Sequence, residues 1–102
     1  MATYTSKALY RGAASTTLTT TLYTTPSATT TVVTEIMVAN TAASSATFTI
    51  YLNGTIIANT ITVGANDTTV IPCKQAISAT QTIQGGASAT TVNFSISGVE
   101  IA

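Results

Sequence analysis

The chain has 102 residues, and threonine (25), alanine (16) and serine (nine) together make up nearly half of it. Three basic residues balance three acidic ones, and charged residues amount to 6% of the sequence. So few cations cannot build the basic patch that binds nucleic acid, and no apolar run approaches the ~20 residues of a membrane span. We therefore expect no nucleic acid partner, no membrane anchor and no secretion signal.

The composition predicts an all-β protein. Threonine is branched at its β-carbon, which suits a pleated, half-exposed strand, and helix is disfavoured throughout. The length predicts one domain, residues 1–102, with a thin core. We predict a single β-sandwich of about seven or eight short antiparallel strands, either jelly-roll or immunoglobulin-like.

Alternation of apolar and polar residues places the strands, and clusters of turn residues separate them. The strongest turn signal is Asn53-Gly54, which predicts a two-residue hairpin that pairs Leu52 with Thr55 and Ile50 with Ile57. Further turns are predicted at 25–27, 40–45 and 64–67 and at Gly85-Gly86. The predicted strands lie near 3–11, 17–24, 30–40, 46–52, 55–63, 67–73, 80–84 and 90–101.

The same period of two assigns side chains to faces. Val32, Ile36 and Val38 are predicted on one face of the third strand, with Val33, Glu35 and Met37 on the other. In the last strand, Val92, Phe94 and Ile96 form the apolar face, and Gly98 predicts a bulge or bend. The segment from Lys74 to Ala79 is compatible with a single helical turn.

Reactive groups are scarce, so we expect no enzyme, no catalytic residue, no cofactor, no metal site and no small-molecule substrate. The chain lacks histidine, the usual general base. Glu35 and Glu100 on adjacent strands form a glycosidase-like carboxylate pair only as a minor hypothesis. We favour solvated outward positions for them or ion pairs at a subunit contact, and a turn role for Asp67. The single cysteine, Cys73, is predicted to be a small buried hydrophobe.

Two other classes of protein stay open at this point. One is an ice-binding protein. This chain contains Thr-X-Thr pairs such as Thr47/Thr49, and similar pairs form ladders on ice-binding solenoids. A solenoid repeats at a fixed interval, however, and the pairs in this chain do not. A carbohydrate-binding surface module is the other class, although such a module presents a flat aromatic platform and this chain has no tryptophan.

Four segments carry a resemblance to a known group. They are the start Met1-Ala2-Thr3-Tyr4, the stretch Leu22-Tyr23-Thr24-Thr25-Pro26, the strand end Val38-Ala39-Asn40-Thr41 and the close Ser97-Gly98-Val99-Glu100-Ile101. In this order they resemble small Thr/Ala-rich virion structural proteins of tailed bacteriophages, of the capsid decoration type. No catalytic or ligand residue is carried over from that group.

The resemblance implies a virion protein that is assembled in the host cytoplasm and present in many copies. It implies a capsid decoration (cement) protein bound to the outer lattice, with a tail, collar or fibre component as the alternative. The expected partners are the major capsid protein or other virion proteins, together with self-association. The candidate contact residues lie in the segment from Ala2 to Arg11: Tyr4, Lys7, Tyr10 and Arg11. This segment either adds a strand to a neighbouring sheet or forms the first strand of its own sandwich.

Overall fold

A computed structural model describes residues 3–72 and 74–102, so the prediction for Cys73 lies outside the described residues. The described residues form nine strands and no helix, and none of them belongs to a helix that could cross a membrane. The strands are β1 (Tyr4–Ala13), β2 (Thr21–Thr24), β3 (Thr30–Asn40), β4 (Ala46–Leu52), β5 (Thr55–Val63), β6 (Thr68–Ile71), β7 (Gln75–Ile77), β8 (Thr82–Ala87) and β9 (Val92–Ile101).

The strands form two antiparallel sheets that face each other, as predicted for a β-sandwich. Sheet A has the order β1-β9-β3-β6, and β7 also pairs with β3. Sheet B has the order β2-β8-β4-β5. β6 pairs with β3 along 36–39 and β7 pairs with it along 31–33, so the two short strands share one edge of sheet A. The segment in which a helical turn was considered is therefore partly strand.

The pairing decides between the two predicted topologies in favour of the jelly roll. The first strand pairs with the last, β2 with β8, β3 with β6 and β7, and β4 with β5. This is the pattern of one long antiparallel hairpin. Two further pairings, β3 with β9 and β4 with β8, roll that hairpin into two sheets. Each sheet is four strands wide, because β6 and β7 share the same edge of sheet A.

The core lies between the sheets and is thin. Its two largest side chains, Phe48 of sheet B and Phe94 of sheet A, are buried and meet edge to face, with ring centroids 6.2 Å apart and planes at 73°. Edge-to-face packing of this kind stabilises a ring pair beyond the area it buries. Aliphatic side chains from both sheets surround the pair: Val33, Ile36, Val38, Ile50, Val63, Ile83, Val92 and Ile96.

The Asn53-Gly54 hairpin is confirmed, but its predicted register holds only next to the turn. Both residues have positive φ (48° and 82°), and Leu52 pairs with Thr55. Ile50, however, pairs with Ala58 and not with Ile57, because the register shifts between Ile50 and Tyr51. A bulge of this kind adds a residue to one strand, so Ile57 stays exposed.

The predicted faces of β3 are wrong for its first half. The register shifts between Val33 and Glu35, so the buried side chains are Val33 before the bulge and Ile36 after it. The predicted apolar face of β9 is confirmed. The irregularity predicted at Gly98 lies in the two neighbouring strands: the register shifts between Ala8 and Tyr10 in β1 and between Val33 and Glu35 in β3. A Cβ at Gly98 would lie 2.6 Å from the Val32 carbonyl oxygen, so a glycine is required there.

One buried side chain fixes the loops at the far end of β3. Asn40 is 2% exposed, and its amide nitrogen donates to the Ser44 carbonyl at 2.8 Å. Its amide oxygen accepts from the Ala42 N–H at 3.1 Å. The turn role predicted for Asp67 is confirmed, since its carboxylate accepts from the Thr68 N–H at 2.8 Å.

The turn predicted at Gly85-Gly86 is wrong, because both glycines lie inside β8. The segment before β2 passes directly over them: Ala87 N–H donates to the Ser15 carbonyl at 2.9 Å. A Cβ at Gly86 would meet the carbonyl oxygens of Thr17 and Ser15 at 2.5 and 2.7 Å. The glycines therefore allow close approach of two backbones and do not reverse the chain.

We predict that Gly86→Ala destabilises the fold by about 1–3 kcal/mol, because the added methyl group meets backbone atoms that cannot move independently. Gly64→Ala is the matched control: its φ is not in the left-handed region, and its Cβ would meet Asp67 at ordinary contact distance (3.5 Å). The measurement is the free energy of unfolding in denaturant. Equal stability of the two variants would contradict this account of Gly86.

Candidate interaction surface

The outer face of sheet A carries Tyr4 and Arg11, two of the four predicted contact residues. Residues paired across strands point to the same face, so Arg11, Ser95, Met37 and Val70 form one row across β1, β9, β3 and β6. Met37 is 41% and Val70 46% exposed, and both point outward from the same row. The row thus presents apolar surface to the outside of the protein.

A shallow, mostly apolar depression of about 240 Å³ lies in this row. Its walls are Arg11 and Met37, and small side chains such as Ser95 and Ala39 leave the space between them. The Arg11 guanidinium Nε donates to Ser95 Oγ at 3.3 Å, which holds the arginine along the sheet. The depression has the size and chemistry to receive one apolar side chain from a partner.

The same face continues toward the tip of the sandwich. Tyr4 is 70% exposed and pairs with Ile101, while Val99 follows on the same side of β9. The outermost contacts are backbone hydrogen bonds in both directions between Thr3 and Ala102, at 2.6 and 2.9 Å. Tyr4 therefore stands on an ordered part of the sheet and is free to contact a partner.

The four predicted contact residues divide between two faces. Tyr4 and Arg11 lie on the outer face of sheet A. Tyr10 pairs with the buried Ile96, packs against the core, and donates its hydroxyl to the Ala13 carbonyl at 2.9 Å. Lys7 also lies on the inner side, where its ammonium group is 3.5 Å from the Glu100 carboxylate. All four belong to β1, which forms an edge strand of its own sandwich.

A polar cluster joins the two sheets at the tip, on the inner side. The Tyr23 hydroxyl of β2 donates to the Glu100 carboxylate of β9 and lies 2.9 Å from Thr31 Oγ1 of β3. Lys7 completes the cluster, and within the described residues its contact with Glu100 is the one salt bridge. Burial, followed by the hydrogen bond to Glu100, raises the pKa of Tyr23 to about 12.

The carboxylate pair considered for catalysis is not assembled. Glu35 and Glu100 both lie in sheet A, but Glu35 is exposed on the outer face whereas Glu100 points inward to Tyr23. They cannot flank one glycosidic bond from opposite faces of a sheet. Glu35 lies outward, as predicted, but Glu100 points inward and forms its ion pair with Lys7 of the same chain and not at a subunit contact. The part of the chain that the structure describes contains no cluster of three or more potential metal ligands.

Sequence reasoning missed the residues that surround Arg11 on the outer face. Met37 was placed on the face opposite Ile36, which is correct, but nothing marked it as part of a surface. Its partners Ser95 and Val70 come from distant parts of the chain, so the row exists only once strand order is known. The available signal was an apolar residue at an outward position of a strand.

Neither a family model nor a curated protein matches this sequence. Solved structures share the fold. A chain in the acid-stable capsid structure of Helicobacter pylori bacteriophage KHP30 matches with a TM-score of 0.59 and 10% identity, covering 100% of this chain and 94% of that one. A chain of infectious bursal disease virus strain Gx matches with a TM-score of 0.54 and 16% identity.

The two matches differ in how much of the other chain they cover. This chain covers 94% of the KHP30 chain, but it spans less than a third of the bursal disease virus chain, with 98% of its own residues aligned to 31% of the other. A second structure of that virus, the T13 particle, gives 98% and 30% with a TM-score of 0.55 and 14% identity. At these identities the matches establish the fold, a sandwich that occurs in virus particles.

We predict that Tyr23→Phe reduces the alkaline sensitivity of the fold. Because the pKa of Tyr23 is raised from 10.0 to about 12, the folded state holds this proton more tightly than the unfolded state. Its contribution to stability is complete below pH 10 and is lost as the pH rises from 10 to 12. The variant lacks the Tyr23 hydrogen bonds at every pH, so it should be less stable at pH 8 but lose less between pH 8 and 11.5.

The measurement is denaturant unfolding at those two pH values. Tyr4→Phe, at an exposed position outside the cluster, is the control and should follow the wild type. An identical loss of stability in Tyr23→Phe and the wild type would contradict the role given to this cluster.

Proposed function

We propose that this chain is a non-enzymatic structural protein of a virus particle, and specifically a capsid decoration protein that binds the outer lattice in many copies. The observation that carries the proposal is the nearly complete mutual coverage with a chain from a phage capsid structure. In the bursal disease virus chains the same sandwich is a fraction of a larger subunit. The chain from the phage capsid structure, in contrast, consists almost entirely of this sandwich, since 94% of it is covered, which suits a component added to a shell.

The surface chemistry supports a role in close packing. Charged residues are 6% of the sequence against a typical ~25%. Interface cores are depleted in charge, and burying an unpaired charge is costly. Small hydroxyl and methyl side chains therefore allow this chain to be covered by neighbours at little desolvation cost. Many modest contacts on one particle then add up to stable attachment.

The proposed contact with the lattice is the outer face of sheet A, around Tyr4, Arg11 and Met37. This face combines a protruding aromatic side chain, a cation and a depression that accepts an apolar side chain. Aromatic residues, methionine and arginine are enriched at protein interfaces. Lys7 and Tyr10 would act indirectly, by holding β1 against β9 and the core.

We predict that Met37→Glu lowers occupancy on particles at least tenfold, because a carboxylate beside Arg11 pairs with that cation and removes the apolar wall of the depression. Leu18→Glu is the matched control, since Leu18 is 40% exposed but lies in the loop before β2. The purified chain is mixed with virus particles produced from a genome that lacks the gene for this chain. Co-sedimentation then measures the number of bound copies. Failure of the wild-type chain to bind would refute the decoration role; equal binding by both variants would refute this face as the contact.

A further inference from the structure

The six charged residues lie in the strands of sheet A or in the segments next to its short edge strands. Lys7 and Arg11 lie in β1, Glu35 in β3 and Glu100 in β9, all strands of sheet A. The other two, Asp67 and Lys74, lie in the segments next to β6 and β7, on the edge of the same sheet. The four strands of sheet B carry no charged residue, and none occurs anywhere in 36–66. The two sheets therefore offer different chemistry to a partner.

Strand β5 is the open edge of sheet B, and it is unusually apolar. Seven large apolar side chains remain exposed among the described residues, and three of them are isoleucines of this strand: Ile56 (47%), Ile57 (40%) and Ile61 (39%). Edge strands are ordinarily protected by lysine, proline, β-bulges or covering loops, and of these β5 has bulges. β5 has neither a charged residue nor a proline in its nine residues.

We propose that β5 is the interface through which two copies of this chain associate about a twofold axis. In such an interface the same strand meets itself, so every charge on the strand meets its own copy or a like neighbour. β1 carries only cations, Lys7 and Arg11, and would repel itself. β5 carries none, so its exposed isoleucines can meet those of a second copy without charge repulsion.

The remaining edges are poorer candidates for self-association. β2 has four residues and is followed within two positions by Pro26. β6 and β7 have four and three residues and are flanked by Asp67 and Lys74. Among the edges that the structure describes, β5 therefore combines length, apolar surface and absence of charge.

The available area suits a weak, reversible dimer. Nine residues at ~3.3 Å each make an edge about 30 Å long. With the ~10 Å spacing of stacked sheets as the width of one sheet edge, this gives roughly 300 Å² per copy, or about 600 Å² in total. That value lies below the ~1,000 Å² expected of a stable specific contact, so the contact is weak and transient.

Irregular backbone within β5 limits the association to a closed pair. Thr60 has a positive φ of 51°, and its N–H donates to Thr49 Oγ1 at 3.1 Å instead of to the backbone of β4. The strand is therefore interrupted between Ile57 and Ile61. Interrupted edges do not template long ladders, so isoleucine side chains supply the contact and open-ended growth is disfavoured.

Sedimentation velocity on the purified full chain tests the proposal independently of any particle. We expect the average mass to rise with concentration from 10.3 kDa toward twice that value. Ile57→Lys should weaken the dimer at least tenfold by placing a charge in the contact. Met37→Lys is the matched control, because Met37 is equally exposed (41%) but lies on sheet A, and its dimerisation should be unchanged.

Amide hydrogen exchange on the wild-type chain gives a second readout that needs no variant. Exchange across 55–63 should slow as concentration rises, whereas exchange in β1 should not change. A chain that stays monomeric at every concentration would overturn the proposal. So would a dimer that survives Ile57→Lys but is lost in Met37→Lys, or concentration-dependent protection confined to β1.

Discussion

The contact between Phe48 and Phe94 sets the distance between the sheets, and the rest of the fold depends on it. They are the two phenylalanines of the chain, one in each sheet, and their edge-to-face packing fills the centre of the core. Elsewhere the interior is filled by valine, isoleucine and alanine, which bury less area each. A chain with so little large apolar material can form only a thin sandwich, and most residues of a thin sandwich lie near its surface.

Local pattern predicted the regular parts of the fold and failed where backbones approach closely. The face of β9 around Phe94 and the Asn53-Gly54 turn follow from period and turn chemistry alone. The bulge after Val33 does not, because it depends on the neighbouring Gly98 and the carbonyl oxygen of Val32. The turn predicted at Gly86 is wrong for the same reason. This glycine makes room for the backbone of Ser15 and Thr17, which lie far away in the sequence, and no local pattern shows that contact.

The candidate surfaces were only partly predictable, for a related reason. Exposed Tyr4 and Arg11 could be proposed from the first strand alone, but their neighbours on the sheet depend on strand order. The concentration of charge on sheet A is likewise invisible until the rolled hairpin assigns each strand to a sheet. Once it is visible, the two sheets have separate proposed roles: sheet A contacts the particle, and the edge of sheet B contacts a second copy.

The antiparallel pairing of β1 with β9 also has a mechanical consequence. Thr3 and Ala102 are hydrogen-bonded at the same tip, so force applied through the two ends would separate these strands one bond at a time. Force applied across the faces of the sheets would instead act on many strand pairings and on the core at the same time. A protein built in this way resists tension best when that tension acts across its sheets and not through residues 3 and 102.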